Sequence, residues 1–167
     1  MVLPAGSAPG DASVRSTRRF DEWRDAIRHD FVALDMAPDR RTGGFSGALR
    51  SATIGHLQVS QVRSVSQVCR RTPALVRADC QEFLQVGMVT RGFGVLEQDG
   101  RRTVLTAGDF AIYETGREFS WNLGRHWELD VFTWPRAAVD LTPGESALAT
   151  AVRMPGRGSL TGIVGGM

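Results

Sequence analysis

The chain has 167 residues, a formal net charge of +2 and an ordinary apolar fraction of 42%. A chain of this length fits one domain that buries a sizeable core without help from disulfides or metals. It contains no run near the ~18 apolar residues that a membrane span needs, and its N-terminal sequence lacks the apolar stretch of a signal peptide. We therefore expect a cytoplasmic protein with no membrane partner.

Arginine supplies all twenty basic residues, since the sequence contains no lysine. Arginine recognises phosphates and nucleic acids through bidentate contacts, but here it is scattered along the chain and balanced by eighteen acidic residues. Codon usage in a genome rich in G and C gives the same bias without any functional role. The charge balance by itself therefore predicts no nucleic-acid partner.

The two cysteines, Cys69 and Cys80, are expected to be reduced and packed as small apolar side chains. They lack the CxxC spacing of a zinc site. A redox role is an alternative that no other residue supports.

The chain begins with residues 1–16, which are rich in Ala, Gly, Ser and Pro and predict a flexible arm. A helix follows, because Phe20, Trp23 and Ile27 recur at helical spacing, and Thr17 or the serine before it can cap the N-terminus. We expect the apolar stripe of this helix to lie on the outside of a sheet.

Strand-like patterns dominate the middle of the chain and predict a mainly β fold. The clearest is the last, in which Trp127, Leu129, Val131 and Thr133 fall on one face until Pro135 ends the strand. The predicted strands are residues 45–54, 57–68, 83–98, 102–105, 110–113, 119–123 and 127–134.

The strongest local signal is the dipeptide Asp99-Gly100, which lies between two runs that alternate apolar and polar residues. Both central positions of a type I′ turn need a positive φ, so this dipeptide predicts a two-residue hairpin. Further tight turns follow at residues 107–109 and 114–118. Short strands joined by such turns indicate an antiparallel sandwich or barrel. Beyond them, residues 143–152 and a shorter stretch that begins at Leu160 have helical patterns.

The residue patterns of a metal or catalytic site are missing from the sequence. Its three histidines, His29, His56 and His126, lie in a helix and at two turns, and no HxH or HExxH motif occurs. The chain also lacks a GxSxG elbow, a Gly-rich phosphate loop and a Cys–His pair at a recognisable spacing. We therefore predict no metal, no cofactor and no catalytic residues.

A ligand pocket inside the β fold is the remaining candidate site, because a small barrel can enclose one small molecule. Gln85 and Arg63 are the candidate interior polar residues, each in the middle of a strand-like run. Tryptophans at alternating spacing also occur as ordinary core, and a mid-strand arginine also faces solvent, so both interpretations stay open. The predicted ligand-binding residues are Arg63, Gln85, Met88, Tyr113, Trp121 and Trp127, a set that favours an aromatic or carboxylated molecule.

A series of short motifs runs along most of the chain. In order, they are Phe20-x-x-Trp23, Phe45-x-Gly47, Gly55-x-Leu57, Arg70-Arg71-Thr72-Pro73, Gly92, Gln98-Asp99-Gly100-Arg101, Leu105, Gly108-Asp109 and Pro135-Arg136. Over about residues 17–140 the series resembles the N-terminal sensing domain of AraC/XylS-type transcription regulators. The hairpin motif, the Gly-Asp pair after it and the final Pro-Arg are fairly specific in combination.

The resemblance implies a cupin-like antiparallel barrel or sandwich with an N-terminal helix and short helical segments at the C-terminus. It also implies a non-enzymatic role, in which the domain binds a small effector without a metal or another cofactor. Such domains often dimerise through helices after the barrel, so a homodimer is a further expectation, and they contact DNA through a separate C-terminal domain. We accordingly expect a flexible arm at residues 1–16, a sensing barrel at 17–140 and the start of truncated linker and dimerisation helices at 141–167, with the DNA-binding domain missing.

Two other hypotheses stay open beside the regulator. One is a cupin-type enzyme of small-molecule metabolism, such as an isomerase or dioxygenase without its usual ligands. The other is a stand-alone ligand-binding barrel. A stoichiometric metal on His56 or His126 would favour the enzyme, whereas the order and spacing of the motifs favour the regulator.

Overall fold

The computed structural model describes residues 13–41 and 43–156, which form two antiparallel β-sheets that face each other across one core. The strands are β1 (Ser13–Thr17), β2 (Asp35–Pro38), β3 (Gly47–Ile54), β4 (Leu57–Ser64), β5 (Gln67–Arg71), β6 (Phe83–Arg91), β7 (Phe93–Gln98), β8 (Arg101–Thr106), β9 (Asp109–Glu114), β10 (Phe119–Leu123), β11 (Trp127–Pro135) and β12 (Met154–Pro155). The helices are α1 (Phe20–Asp30), α2 (Pro73–Ala78) and α3 (Pro143–Ala149), with a 3₁₀ turn at Arg136–Ala138.

The large sheet has the strand order β1-β3-β4-β11-β6-β9-β12, and the small sheet has the order β2-β5-β10-β7-β8. The predicted antiparallel, mainly β architecture is therefore confirmed. Among the described strands the sheets do not close into a barrel, because each sheet ends in two edge strands. The molecule is a sandwich whose core lies between the two inner faces.

Two of the predicted strands are each split where the chain crosses from one sheet to the other. Residues 57–68 become β4 and β5, and residues 83–98 become β6 and β7. The second crossing lies at Gly92, which has φ +75°. A Cβ at Gly92 would lie 3.1 Å from Cα of Trp127, so glycine permits the close approach of the two segments.

The predicted hairpin at Asp99-Gly100 is present between β7 and β8. Asp99 and Gly100 have φ values of +53° and +75°, and Gln98 pairs directly with Arg101. These are the positive φ values of a type I′ turn. The predicted alternation of β11 is also confirmed, since its residues are buried and half-buried in turn.

Residues 13–16, which we expected in the flexible arm, belong instead to β1. This strand pairs with β3 over its whole length, and the Ser13 hydroxyl donates a hydrogen bond of 3.2 Å to Asp30. Arg15 adds an ion pair of 3.7 Å with the same carboxylate. The composition of residues 1–16 did not predict this strand, because β1 is held by backbone pairing with β3 and by side-chain contacts with the end of α1. Residues 1–12 lie outside the described part of the chain.

Helix α1 closes one end of the sandwich and does not lie on the outside of a sheet, as we had expected. The Trp23 indole packs against Gly47 of the large sheet and donates a hydrogen bond of 3.2 Å to Gln67 of the small sheet. A side chain that contacts both sheets must lie between them. The helix begins after Arg19 without a side-chain cap, and Thr17 instead accepts a hydrogen bond from the Arg19 backbone N–H.

Helix α3 is the described part of the predicted C-terminal helical region. A capping box between Thr142 and Glu145 opens it. The Arg101 guanidinium donates to the carbonyl oxygens of Ala147 and Thr150, at the C-terminal end of the helix. The hairpin between β7 and β8 thereby fixes α3 to the sandwich. The second predicted helical stretch, which begins at Leu160, lies outside the described residues.

Candidate ligand-binding site

A cavity of about 60 Å³ lies between the two sheets at the end that α1 closes. Nearly all of its lining is buried, and the half-buried exceptions are Phe31 and Leu34 in the irregular segment after α1. Ile27 of α1 and Met36 of β2 complete this side of the cavity. We call the side formed by α1 and residues 31–36 the mouth.

One wall of the cavity is aromatic, and two glycines fix its position. A Cβ at Gly87 would lie 3.0 Å from Cζ2 of Trp121, and a Cβ at Gly94 would lie 2.9 Å from Cζ3. The Tyr113 and Trp121 rings meet edge to face, with centroids 5.7 Å apart, and Phe119 lies 4.9 Å from Tyr113. Close packing of this kind leaves the Trp121 ring little freedom to turn.

Polar groups, the Tyr113 phenol among them, interrupt the apolar lining. Gln85 donates a hydrogen bond of 3.1 Å to the Thr133 hydroxyl, and Gln67 accepts one of 3.2 Å from Trp23. The Trp121 indole N–H is buried beside the Tyr113 phenol, but no described atom accepts from it with good hydrogen-bond geometry. A buried donor without an acceptor is destabilising, so this group is the first candidate to hold a ligand atom.

The described lining of the cavity contains no acidic or basic side chain. Burial raises the pKa of the Tyr113 phenol above its usual value of 10.0, while the Trp121 N–H acts in the opposite direction. Burial also raises the pKa of the Cys69 thiol from 9.0 to about 12. Both groups therefore stay protonated at neutral pH, and this lining is uncharged.

We expect the stability of the domain to fall in alkaline buffer, partly because Cys69 is buried as a neutral thiol. The unfolded chain loses this proton near pH 9.0, whereas the folded chain keeps it until about pH 12. The resulting stabilisation is fully present below pH 9.0 and disappears as the pH rises towards 12. In thermal unfolding above pH 9, Cys69→Ala should show a shallower decline of Tm than the exposed control Cys80→Ala. Parallel declines would contradict this origin.

Four of the six predicted ligand-binding residues line the cavity, and two do not. Those inside are Gln85, Tyr113, Trp121 and Trp127. Arg63 and Met88 lie on the outer face of the large sheet, so their expected interior position is wrong. Side chains alternate along a strand, and Met88, three residues after the inward-facing Gln85, must face outward. That the inner four bind a ligand stays a prediction.

The sequence patterns did not predict that Gln67 and the mouth residues line the cavity. Gln67 faces inward in β5 together with Cys69 and Arg71, a polar pattern that gives no apolar alternation to recognise. The strand β2 is short, contains Pro38 and lies at a sheet edge, so its sequence carries little strand signal. The cysteine expectation is right for buried Cys69 and wrong for the exposed Cys80.

Arg71 is almost fully buried and ties the mouth to the rest of the fold. Its side chain donates hydrogen bonds of 3.0 Å to the carbonyl oxygens of Thr115 and Ala33. It also pairs with the Asp79 carboxylate at 3.2 Å. Since Ala33 belongs to the mouth, the guanidinium holds that segment in place over the cavity.

Larger grooves lie on the outside of the sandwich. Two of them, of about 500 and 570 Å³, share Arg63 and Glu128 on the outer face of the large sheet. They are open to solvent and lined largely by charged and polar side chains. By volume alone, these grooves would be the favoured ligand site. The interior cavity is the better candidate because it is buried and contains the Trp121 N–H.

Within residues 13–41 and 43–156, no group of three or more His, Cys, Asp or Glu side chains is placed to hold a metal ion. His56 and His126 lie at separate turns, the second with φ +48°. In the same part of the chain, no helix is long and apolar enough to cross a membrane.

Comparison with known families gives one match over most of the chain. The family model of the AraC-binding-like domain matches residues 23–167. A protein of Bacillus sp. (strain OxB-1), described as an uncharacterized protein in nit 5'region, is 30% identical over 124 residues, which cover 74% of this chain and 48% of that protein. The transcriptional activator NphR of Rhodococcus sp is 28% identical over 117 residues, which cover 66% of this chain and 35% of NphR.

The fold also resembles that of solved structures. The crystal structure of the AraC-like transcriptional activator CuxR superposes with a TM-score of 0.64 at 20% sequence identity, covering 75% of this chain and 48% of CuxR. This likeness supports the predicted mainly β, cupin-like fold. The chain spans less than half the length of each of these three proteins.

Proposed function

This chain belongs to the AraC-binding-like domain family and is a regulatory, ligand-sensing domain, and we propose that it senses a small organic molecule held between its two sheets. The observation that carries this choice of site is the interior cavity. It has aromatic and aliphatic walls and a few polar groups, which is the usual composition of a small-molecule site.

The mouth is the part of the domain that would respond to the effector. Phe31 and Leu34 line the cavity from an irregular segment, so a bound molecule would stabilise the conformation in which this segment closes. An effector shifts such an equilibrium only by its difference in affinity for the two conformations. Slower amide hydrogen exchange at residues 31–36 with effector bound would support this response, and unchanged exchange would contradict it.

We propose no catalytic role and no cofactor for the domain. The described cavity lining offers no acid or base at neutral pH, and both NphR and CuxR are transcriptional activators. The cupin-type enzyme thus has no supporting residue at this site. Metal analysis of the purified chain tests the proposal, because one stoichiometric metal would favour the enzyme.

The activity of the whole regulator is a wider proposal that rests on the family. In it, the sensing domain controls a separate helix-turn-helix domain that contacts DNA, the regulator forms a homodimer, and it acts in the cytoplasm. Gel-shift and sedimentation measurements on the full regulator test the first two points. A monomer that binds no DNA with or without effector would contradict them.

The location of the effector site is tested with variants on the two faces of the large sheet. A library of small organic molecules is screened for an increase in Tm, and the affinity of the best compound is measured by titration calorimetry. We expect Tyr113→Phe and Gln85→Leu to weaken binding about tenfold each, since each removes one hydrogen-bonding group from the cavity.

Arg63→Ala and Met88→Leu are the matched controls, because both side chains lie on the outer face of the same sheet. They should leave the affinity unchanged. Loss of binding in Arg63→Ala, with normal binding in Tyr113→Phe, would place the site in the outer grooves and contradict the proposal.

A further inference from the structure

The indole N–H of Trp121 differs from those of the two other tryptophans in the core. Trp23 donates its indole N–H to Gln67 at 3.2 Å, and Trp127 donates to the Val65 carbonyl at 2.8 Å. The Trp121 N–H is equally buried and lies next to the Tyr113 phenol, but no described atom accepts from it with good hydrogen-bond geometry. Because buried donors in folded proteins almost always have a well-placed acceptor, this N–H is available to a ligand atom in the cavity.

Packing holds this donor in one position. Gly87 of β6 on the facing sheet and Gly94 of the adjacent strand β7 lie against the six-membered ring of Trp121, so close that a Cβ at either position would force a shift. Tyr113 blocks the ring from the side. The indole therefore cannot turn to find another acceptor, and the donor is already oriented before a ligand arrives.

The surroundings of this donor exclude a charged ligand. The described lining has no ionic side chain that could pair with a carboxylate or an ammonium group. Arg71, the buried arginine of β5, does not line the cavity and is engaged with Thr115, Ala33 and Asp79. An unpaired ion transferred into such a site loses its hydration without compensation.

The size of the cavity limits the ligand further. A volume of 60 Å³ is well below the ~150 Å³ of an engineered protein cavity that holds benzene. A molecule with five or six heavy atoms therefore enters only if the mouth moves, and the half-buried Phe31 and Leu34 are its most easily displaced residues.

We propose that the effector is a compact, uncharged molecule with a hydrogen-bond acceptor, such as a carbonyl oxygen, that receives the indole N–H of Trp121. This inference rests on the proposed function and adds the chemical class of the effector. It replaces the carboxylated ligand that the sequence favoured, because Arg63, the arginine considered for that role, lies outside the cavity.

Four probes of similar size separate the chemical classes: cyclopentanone, methylcyclopentane, cyclopropanecarboxylate and cyclopentylammonium. The ¹⁵N-labelled chain has one indole N–H signal for each of its four tryptophans. Trp121→Phe identifies the signal of interest, and Trp134→Phe, on the outer face of β11, is the matched control. Each probe is titrated while the indole signals and the Tm are recorded.

We expect cyclopentanone to move the Trp121 signal in a saturable way and to bind about tenfold more tightly than the other three probes. Trp121→Phe should reduce its affinity about tenfold, to that of methylcyclopentane, while leaving methylcyclopentane binding unchanged. Trp134→Phe should change neither affinity. The unchanged hydrocarbon affinity separates the lost hydrogen bond from general damage to the core.

Two results would overturn the inference. Equal or tighter binding of the carboxylate or the ammonium probe between the sheets would refute an uncharged effector, and the proposed sensing function would stand. A Trp121 signal that no probe moves would refute the assigned acceptor. The Tyr113→Phe and Arg63→Ala comparison, made with the effector itself, decides the proposed function separately.

Discussion

Trp23→Ala is expected to lower the free energy of unfolding by about 3 to 5 kcal/mol. The side chain is 1% exposed, packs on Gly47 and lies beside Phe45 with ring centroids 6.0 Å apart. Its removal opens a cavity between the two sheets and also leaves Gln67 without its indole donor. Denaturant titration monitored by circular dichroism measures the loss.

Phe93→Ala is the matched control for this change, because it truncates an aromatic ring that is 48% exposed. We expect it to cost less than about 1 kcal/mol. Trp23→Phe should fall between the two, since it keeps most of the packing and loses the hydrogen bond to Gln67. Equal stabilities of Trp23→Ala and Phe93→Ala would show that α1 does not close the sandwich.

Arg71→Met is expected to have a similar effect, a loss of about 3 to 5 kcal/mol. Methionine retains much of the apolar stem but leaves the carbonyl oxygens of Thr115 and Ala33 without their donor. It also leaves Asp79 without its ion pair. Because Ala33 belongs to the mouth, hydrogen exchange at residues 31–36 should increase together with the loss of stability.

The adjacent residue supplies the control for this prediction. Arg70 is exposed on the outer face of β5, so Arg70→Met should change the free energy of unfolding by less than about 0.5 kcal/mol. A loss in Arg71→Met no larger than that in Arg70→Met would refute the role of Arg71 as a clamp on the mouth.

The parts of the fold that the sequence predicted are those with strong local signals. Asp99-Gly100 requires two positive φ values, and β11 alternates without interruption over Trp127–Pro135. Such features depend on a few neighbouring residues. The edge strand β1 and the position of α1 depend on distant partners, namely β3 and the inner faces of both sheets, which no local pattern reveals.

The candidate site was harder to predict because the inner face of the large sheet is partly polar. Ser51 and Ser60 face inward and satisfy each other by a hydrogen bond of 2.8 Å, and Ser64 donates to the Ser46 carbonyl at 2.7 Å. Because the inner face of β4 carries serines, its sequence predicts that the opposite face, which carries Arg63, is the buried one. The serines can face inward because they are paired by hydrogen bonds, and an alternation of residue types does not show such pairing. The face that carries Arg63 is therefore the outer one.

A crystal structure of this chain bound to the compound that most raises its Tm would show directly where the effector binds. We expect electron density for the compound between the two sheets, with an acceptor atom about 3 Å from Nε1 of Trp121. Density for the compound in the outer grooves beside Arg63, with the interior cavity unchanged, would contradict it.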